Sequence, residues 1–482
     1  MVIYDSVKKT KVLLEPIKEN EVSIYVCGPT VYDDAHLGHA RSALAFDLLR
    51  RVLINLNYKV TFVKNFTDID DKIIKKMGES GKSLEEITSH YICTYKKEMN
   101  ALYVKDADIE PKATSSIQEM IDFVQNLLDK DFAYKTKNGI YFDTSKDDKY
   151  LSISHRYIDE KDLRSRIDED DNKKNMKDFA LWKFEKNSDI SYDSLFGKGR
   201  PGWHIECSAM IKKHLANKDS DFQIDIHAGG ADLIFPHHEN EAAQTRMCSN
   251  QEIAKYWMHN GFVTNNGEKM SKSLGNSFFL KDFLKIYHGE IIRFYLISTH
   301  YRQNIDFNEI DLLNSKKRLD KIYRIKKRVS DVLHENSSLC ADEDFKKSFL
   351  AALSDDLNIS VALAVIDEMI NDANETLDKK PKDEEFKEKI LANLDFLSNT
   401  LGILNLNTND YFQLGVSEDF KKEIEKLIQK RAEAKKERNF ELADKIREEL
   451  LGKNIQLMDT VNGTLWEKIE FLVGHFSPET SK

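Results

Sequence analysis

Residues 22–27, Val-Ser-Ile-Tyr-Val-Cys, are dense in β-branched and aromatic side chains and stop at Gly28-Pro29, a pattern that predicts a buried strand ending in a turn. From Gly38 onward Leu44, Leu48, Leu49, Val52 and Leu56 recur at helical spacing, so a helix over 38–56 is expected to pack on that strand. A second strand is expected over 59–64. This order of strand, loop, helix and strand predicts the start of a doubly wound, Rossmann-type α/β domain with a parallel sheet, where ligands bind beyond the carboxyl ends of the strands. Cys27, His36 and His39 lie at such an end.

Between about 69 and 193 the chain turns charged and largely helical in pattern, and the polar run 159–177 reads as a surface loop. We expect an insertion there, its main body at about 95–195. The α/β theme returns with a strand over 222–227 and a helix after Pro236, and closes near Phe307. Residues 312–404 carry almost no glycine or proline and keep apolar residues at helical intervals, which predicts a helical bundle. The expected domains are thus 1–307 (with a loop region at 262–307), a bundle at 308–405, a linker at 406–417, and a small C-terminal domain at 418–482. In the last, helices over 430–438 and 441–451 are dense in Lys and Arg.

The 482 residues leave ample chain for several cores. Charge sharpens the picture of partners: 72 basic against 82 acidic residues gives 72 − 82 = −10, so any nucleic-acid contact must use local patches rather than a global cationic field. Five scattered cysteines do not form a disulfide framework and fit a reducing compartment. No stretch approaches the roughly 20 apolar residues needed to span a bilayer. These features predict a soluble cytoplasmic protein with thiols available for a metal and no membrane partner.

Candidate chemistry falls in three places. His36 and His39 are three apart in a loop entering a helix, where both can face a phosphate chain at the positive helix end, and Gly38 allows close backbone approach. Lys269 and Lys272, in the run Lys269-Met270-Ser271-Lys272-Ser273, supply compact charges suited to a leaving pyrophosphate. Cys27, Cys207, His237 and Glu241 offer two thiolates, an imidazole and a carboxylate, a plausible tetrahedral zinc set, with His237 and Glu241 four apart on one helical face. His204, His227, His238 and Cys248 are rival ligands. Cys93 and Cys340 sit in helical, apolar surroundings and read as small core residues. A nucleotide site beside a soft metal points to activation of a thiol-bearing substrate.

The elements His36-Leu37-Gly38-His39 and Lys269 to Ser273 resemble the two signatures of class I aminoacyl-tRNA synthetases, and the rest of the chain resembles the cysteinyl-tRNA synthetase family. The resemblance is carried by Tyr25 to Asp33 (Tyr-Val-Cys-Gly-Pro-Thr-Val-Tyr-Asp), Asn65 to Lys72 (Asn-Phe-Thr-Asp-Ile-Asp-Asp-Lys), Asp178 to Lys183 (Asp-Phe-Ala-Leu-Trp-Lys), Arg200 to Met210 and the His-rich run to Glu241. It reaches Ala443 to Arg447 and Gly463 to Trp466, so it spans nearly the whole chain.

The resemblance implies one zinc ion per chain on Cys27, Cys207, His237 and Glu241, which ligates the thiol of L-cysteine, with Trp203 and Thr30 near the substrate. It implies that His36 and His39 stabilise the transition state of adenylate formation, that Lys269 and Lys272 hold the departing pyrophosphate, and that Mg2+ accompanies ATP. Gly38, Gly230 and Asp232 match ATP-binding positions, the last two beside the ribose. The bundle and last domain would bind tRNA(Cys), with Lys430, Arg431, Lys435, Lys436, Arg438, Lys445 and Arg447 available for phosphates and Trp466 either stacking on a base or filling a core. A monomer is the expected state. Two departures stand out: Ser194-Leu195-Phe196-Gly197 where many members have Ser-Pro-Trp-Gly, and Lys453-Asn454-Ile455 where a glycine commonly precedes the isoleucine. Two rivals, the cysteine ligase of mycothiol synthesis and a catalytically silent zinc protein that binds tRNA, are disfavoured by the long helical tail and by the intact signatures respectively.

Overall fold

The computed structural model describes residues 1–155, 172–185, 190–265, 268–269, 278–331, 340–460 and 463–469. Strands β1 (Val2–Asp5) and β2 (Thr10–Leu13) form an antiparallel hairpin ahead of the central sheet. That sheet begins with β3 (Glu21–Val26), crosses through the helix Leu37–Asn55 and returns as β4 (Lys59–Lys64), pairing in parallel from Glu21 opposite Lys59 to Val26 opposite Lys64. The expected strand, helix and strand are therefore all present, shifted by one residue at most. Side chains along β3 alternate as a two-residue period requires. Val22, Ile24 and Val26 join the core beneath the helix, whereas Tyr25 joins the core on the opposite face.

The insertion begins helical, as its pattern predicts, and then adds strands that the pattern did not show. After helices Asp71–Ser80, Leu84–Ala101 and Ile117–Asp129 it contains a four-stranded antiparallel sheet, β5 (Ala133–Lys135), β6 (Gly139–Phe142), β7 (Phe179–Phe184) and β8 (Gly199–Pro201), in that order. Its strands are short and its helix-like charge density comes from exposed positions, so periodicity alone hid them. Asp178 organises this layer: its carboxylate accepts from the Thr144 amide and hydroxyl at 2.9 and 2.8 Å and from the Tyr134 hydroxyl at 2.7 Å. At the first departure from the family pattern, Phe196 is buried edge-on against Trp182 while Leu195 is exposed, so the aromatic packing role is kept one ring size smaller.

The chain then re-enters the central sheet. Helix Trp203–His214 leads to β9 (Phe222–Gly230), which pairs in parallel with β3, and helix Glu239–Ser249 leads to β10 (Glu252–Asn260) beyond it. The order β10-β9-β3-β4 is doubly wound, and its reversal lies between β3 and β9, where a ligand crevice forms outside the carboxyl ends.

Four helices, Glu309–Val329, Glu343–Leu353, Ile359–Lys379 and Glu384–Leu401, make the predicted bundle, and their apolar faces share the core of the central sheet. The expected linker is not a free tether: it contains helix Thr408–Phe412, and Tyr411 stacks on Tyr323 at 3.6 Å while its hydroxyl donates to Asp320 at 2.7 Å. Helices Glu418–Lys436 and Phe440–Gly452 and the hairpin Ile455–Thr460 with Gly463–Lys468 form the last unit. Trp466 is buried in its core, and buried Arg431 pairs with Asp459, so these two side chains serve packing. No helix of the described residues is long and apolar enough to cross a membrane.

Candidate functional site

Cys27 follows the last residue of β3, and its amide donates to the Ala228 carbonyl of β9, which fixes the thiol over the strand-order reversal. Gly28 permits this path, because a Cβ there would stand 1.6 Å from the Asn65 carbonyl oxygen. The Gly28 amide in turn donates to Asn65 Oδ1 at 2.8 Å. Cys207 comes from the second turn of helix Trp203–His214, His237 from the tight turn after β9, and Glu241 from the first turn of helix Glu239–Ser249.

These four donor atoms lie within 4.8 Å of one another. Cys27 Sγ is 3.6 Å from Cys207 Sγ and 3.7 Å from Glu241 Oε1, and Cys207 Sγ is 3.7 Å from His237 Nε2. A disulfide is excluded at that sulfur separation. The spacings match the edges, about 3.3–3.8 Å, of a tetrahedron with zinc bonds of ~2.0–2.3 Å. The His237 to Glu241 contact is closer, at 2.8 Å, a hydrogen-bond distance. Burial would lift the Cys207 thiol, but its bond with Cys27 and the His237 imidazole bring it down to about 7. Burial and then Cys207 push Cys27 well up. Burial opposes charge on Glu241 too, yet His237 and His227 hold its carboxyl well below the usual range.

The rival ligands separate by position. His227 Nε2 meets the other carboxylate oxygen of Glu241, Oε2, at 2.5 Å, so it orients that ligand from behind. His204 Nδ1 is 3.1 Å from His237 Nδ1, on the ring edge opposite the thiols, and burial keeps His204 neutral. His238 bonds His259 at 2.8 Å; a second grouping of Cys27, His227, His238 and Glu241 also falls within 4.8 Å, but it offers one sulfur where the first offers two. Cys248 lies away, its sulfur 3.8 Å from Lys212 in the core of the insertion. Cys93 and Cys340 are exposed, contrary to the core reading: apolar neighbours in sequence flank them without covering them.

Trp203 stacks on the His237 ring, 4.1 Å between centroids at 16°, and so walls the donor cluster. Thr30 bridges to Thr67 in the turn after Gly28. Sequence reasoning gave no role to Asn65, Thr67 and Glu206, although the Asn65-Phe66-Thr67 run was a signal. Thr67 donates to buried Glu206 at 2.7 Å, one residue before Cys207, and with Asn65 pins the two thiol-bearing segments together.

His36 and His39, expected to meet phosphates, lie at the entry of the helix that follows β3. His36 caps helix Leu37–Asn55: the Gly38 amide donates to His36 Nδ1 at 3.1 Å, and the His36 amide donates to His39 Nδ1 at 3.1 Å. Both rings thereby carry their proton on Nε2, and they stack at 3.9 Å. Gly230 ends β9 with exposed Asp232 beside it, and a Cβ on Gly230 would meet Asp232 Oδ1 at 2.5 Å. The backbone of Lys269 pairs with Thr264, while Lys272 lies outside the described residues. The segment leaving this second signature folds back on the first: the Leu280 amide donates to Ala35 at 2.8 Å, Leu37 donates to Phe278 at 3.4 Å, and Lys281 pairs with Asp34 at 2.5 Å.

Comparison with known proteins identifies the family. The family model of the class I (C) tRNA synthetase catalytic domain matches residues 13–317, and that of the DALR domain matches residues 348–405. A cysteine–tRNA ligase of a Nitratiruptor species is 64% identical over 471 residues, covering 97% of this chain and 100% of its own length. One of Aliarcobacter butzleri is 62% identical over 467 residues, covering 97% and 99%. Among solved structures, Mycobacterium tuberculosis methionyl-tRNA synthetase with methionyl-adenylate superposes with a TM-score of 0.57 at 15% identity, covering 82% of this chain and 91% of its own, a likeness of fold. A donor cluster at the strand-order reversal, a catalytic-domain match over most of the chain and relatives of this identity over nearly the full length lead to one conclusion: the chain belongs to the cysteine–tRNA ligase family of class I aminoacyl-tRNA synthetases.

Proposed function

We propose that the protein activates L-cysteine with ATP, releasing pyrophosphate and forming cysteinyl-adenylate, and then transfers the cysteinyl group to the 3′ end of tRNA(Cys). The observation that carries the choice of amino acid is the Cys27, Cys207, His237 and Glu241 cluster at the mouth of the sheet. A zinc ion held there would lower the pKa of the substrate thiol and prefer soft sulfur to a serine hydroxyl, a larger discrimination than the ~1–3 kcal/mol that packing gives near-isosteres.

The remaining work falls to side chains. Trp203, stacked on His237, would bound the space for a short side chain, and Thr30 would line the turn beside it. His36 and His39, as Nε2–H donors, would stabilise charge on the α-phosphate when the cysteine carboxylate attacks it. Lys269 and Lys272 would balance the leaving pyrophosphate, Mg2+ would accompany ATP, and Gly38, Gly230 and Asp232 would hold the nucleotide. The domain at 308–405 and the last unit at 418–482 would carry tRNA. The protein would act as a cytoplasmic monomer.

The decisive experiment is cysteine-dependent exchange of pyrophosphate into ATP, with serine as control and transfer to tRNA(Cys) followed in the same preparation. Exchange with cysteine alone, plus transfer, is the expected result. Exchange without transfer would point to a ligase acting on another acceptor, and no exchange in metal-replete protein would overturn the proposal.

A further inference from the structure

Glu98, on helix Leu84–Ala101, is 4% exposed, and neither carboxylate oxygen makes a well-formed hydrogen bond. A buried acid left this way costs free energy that packing does not require, so its surroundings call for an explanation. It faces the two pieces of chain that join the nucleotide signatures: the Ala35 amide and the Asp34 carboxylate of the loop entering the first, and Lys281 and Asp282 of the helix leaving the second. Those pieces are held to each other by the Leu280 to Ala35 bond and the Lys281 to Asp34 pair, and the adjoining Asp33 is 3.8 Å from Lys76.

We propose that Glu98 is a proton-linked positioning residue for ATP: by gaining or losing one proton it sets how firmly the loop 33–36 stays seated on the segment 278–282, and hence how His36 and His39 are held at the sheet end. As the acid, Glu98 adds no charge beside Asp34 and leaves Lys281 to that partner. As the carboxylate, it repels Asp34 across a poorly solvated gap and competes for Lys281. Burial and then Asp34 raise the carboxyl to about 7, against the opposing pull of Lys281 and the Ala35 amide, so the exchange falls within the physiological range. The inference rests on the reading that His36 and His39 hold the phosphates.

The test is the KM for ATP and kcat in cysteine-dependent pyrophosphate exchange, from about pH 6 to 8.5, for the native chain, Glu98→Gln, Asp34→Asn and His36→Ala. Native-to-variant ratios cancel the titration of ATP and of the cysteine thiol. The native KM divided by that of Glu98→Gln is expected near one at the acid end and several-fold higher at the alkaline end, and Asp34→Asn should show a shallower rise than native. Should Glu98→Gln fail to melt cooperatively, Asp34→Asn carries the test alone. A ratio independent of pH, or Asp34→Asn tracking the native profile, would overturn the proposal while impaired His36→Ala left the ATP assignment standing. Normal ATP use by His36→Ala would instead overturn that assignment.

Discussion

The Arg293 guanidinium donates to the Asp47 carboxylate at 2.6 Å, and both side chains are buried. Asp47 lies in the middle of the helix behind His36 and His39, whereas Arg293, on helix Gly289–Ser298, also donates to the carbonyls of Leu401, Leu102 and Tyr103. Arg51 shares the same carboxylate at 2.8 Å. At Gly402, with φ +67°, a Cβ would stand 2.5 Å from the guanidinium, so glycine lets the end of the bundle close on this pair. One buried ion network therefore links the signature helix, the insertion and the bundle.

Asp47→Asn should cost about 3–5 kcal/mol in urea unfolding, because two buried guanidinium groups lose their charge partner. Burial would raise the Asp47 carboxyl, but Arg293 and Arg51 outweigh it and hold it below the ordinary value. Its folded-state pKa thus lies under the unfolded one, near ~3.9, and its contribution is present above that pH and lost as pH falls further. The variant should accordingly show a flatter acid limb below about pH 4. Parallel native and variant curves in that range would count against the pair as a stabilising element.

His227→Ala should weaken metal retention by roughly 10–100-fold without removing any of the four donors. The reason is the 2.5 Å contact of His227 with Glu241 Oε2, which turns Oε1 toward the thiols. Competition with a chromogenic chelator reads the loss directly, without reliance on turnover. Retention equal to native would show that Glu241 needs no support from β9.

Glu467→Gln should loosen the last unit from the bundle. Glu467 is 1% exposed and accepts from Lys327 at 2.7 Å and from Arg324, both on helix Glu309–Val329. Arg324 is 48% exposed, so solvent screening limits the effect to about 1–2 kcal/mol. Amide exchange across the hairpin 455–468 should quicken by roughly tenfold, while pyrophosphate exchange stays unchanged. Unchanged amide exchange would mean that Tyr411 and Phe412 hold the unit without the carboxylate.

Elements with a strong period were legible before the structure. The run 22–27 is legible from its β-branched and aromatic residues bounded by Gly28-Pro29, and the helix after Gly38 from the spacing of its leucines, although both elements are buried on most sides. β5, β6 and β8, of three or four residues each, are too short to show a period and depend on cross-strand partners. The candidate metal donors span 214 positions from Cys27 to Glu241, so only the fold brings them together; ligand chemistry proposed the set and left His227 and His204 as equals. What sequence could not convey was direction: His227 and His204 both touch the cluster, but from its outer side. Glu98 was equally silent, since one acid in a charged helix looks like any other until burial singles it out.

Cys207→Ser tests the cluster as a selector of substrate rather than a structural staple. Serine keeps the shape of the side chain but offers a hard hydroxyl whose proton is not displaced near neutral pH, whereas the Cys207 thiol is brought down to about 7 by Cys27 and His237 against the effect of burial. Metal content measured by elemental analysis should fall, and cysteine activation should drop by at least about 100-fold, exceeding what loss of a supporting residue costs. ATP affinity should change by less than about threefold, because His36, His39 and Gly230 stand on other segments of the sheet end. Supplementing the variant with zinc should restore part of the cysteine response and none of the lost thiol preference over serine. Equal losses for ATP and cysteine would instead mean that Cys207 holds helix Trp203–His214 against β3, and that selection of the amino acid lies elsewhere.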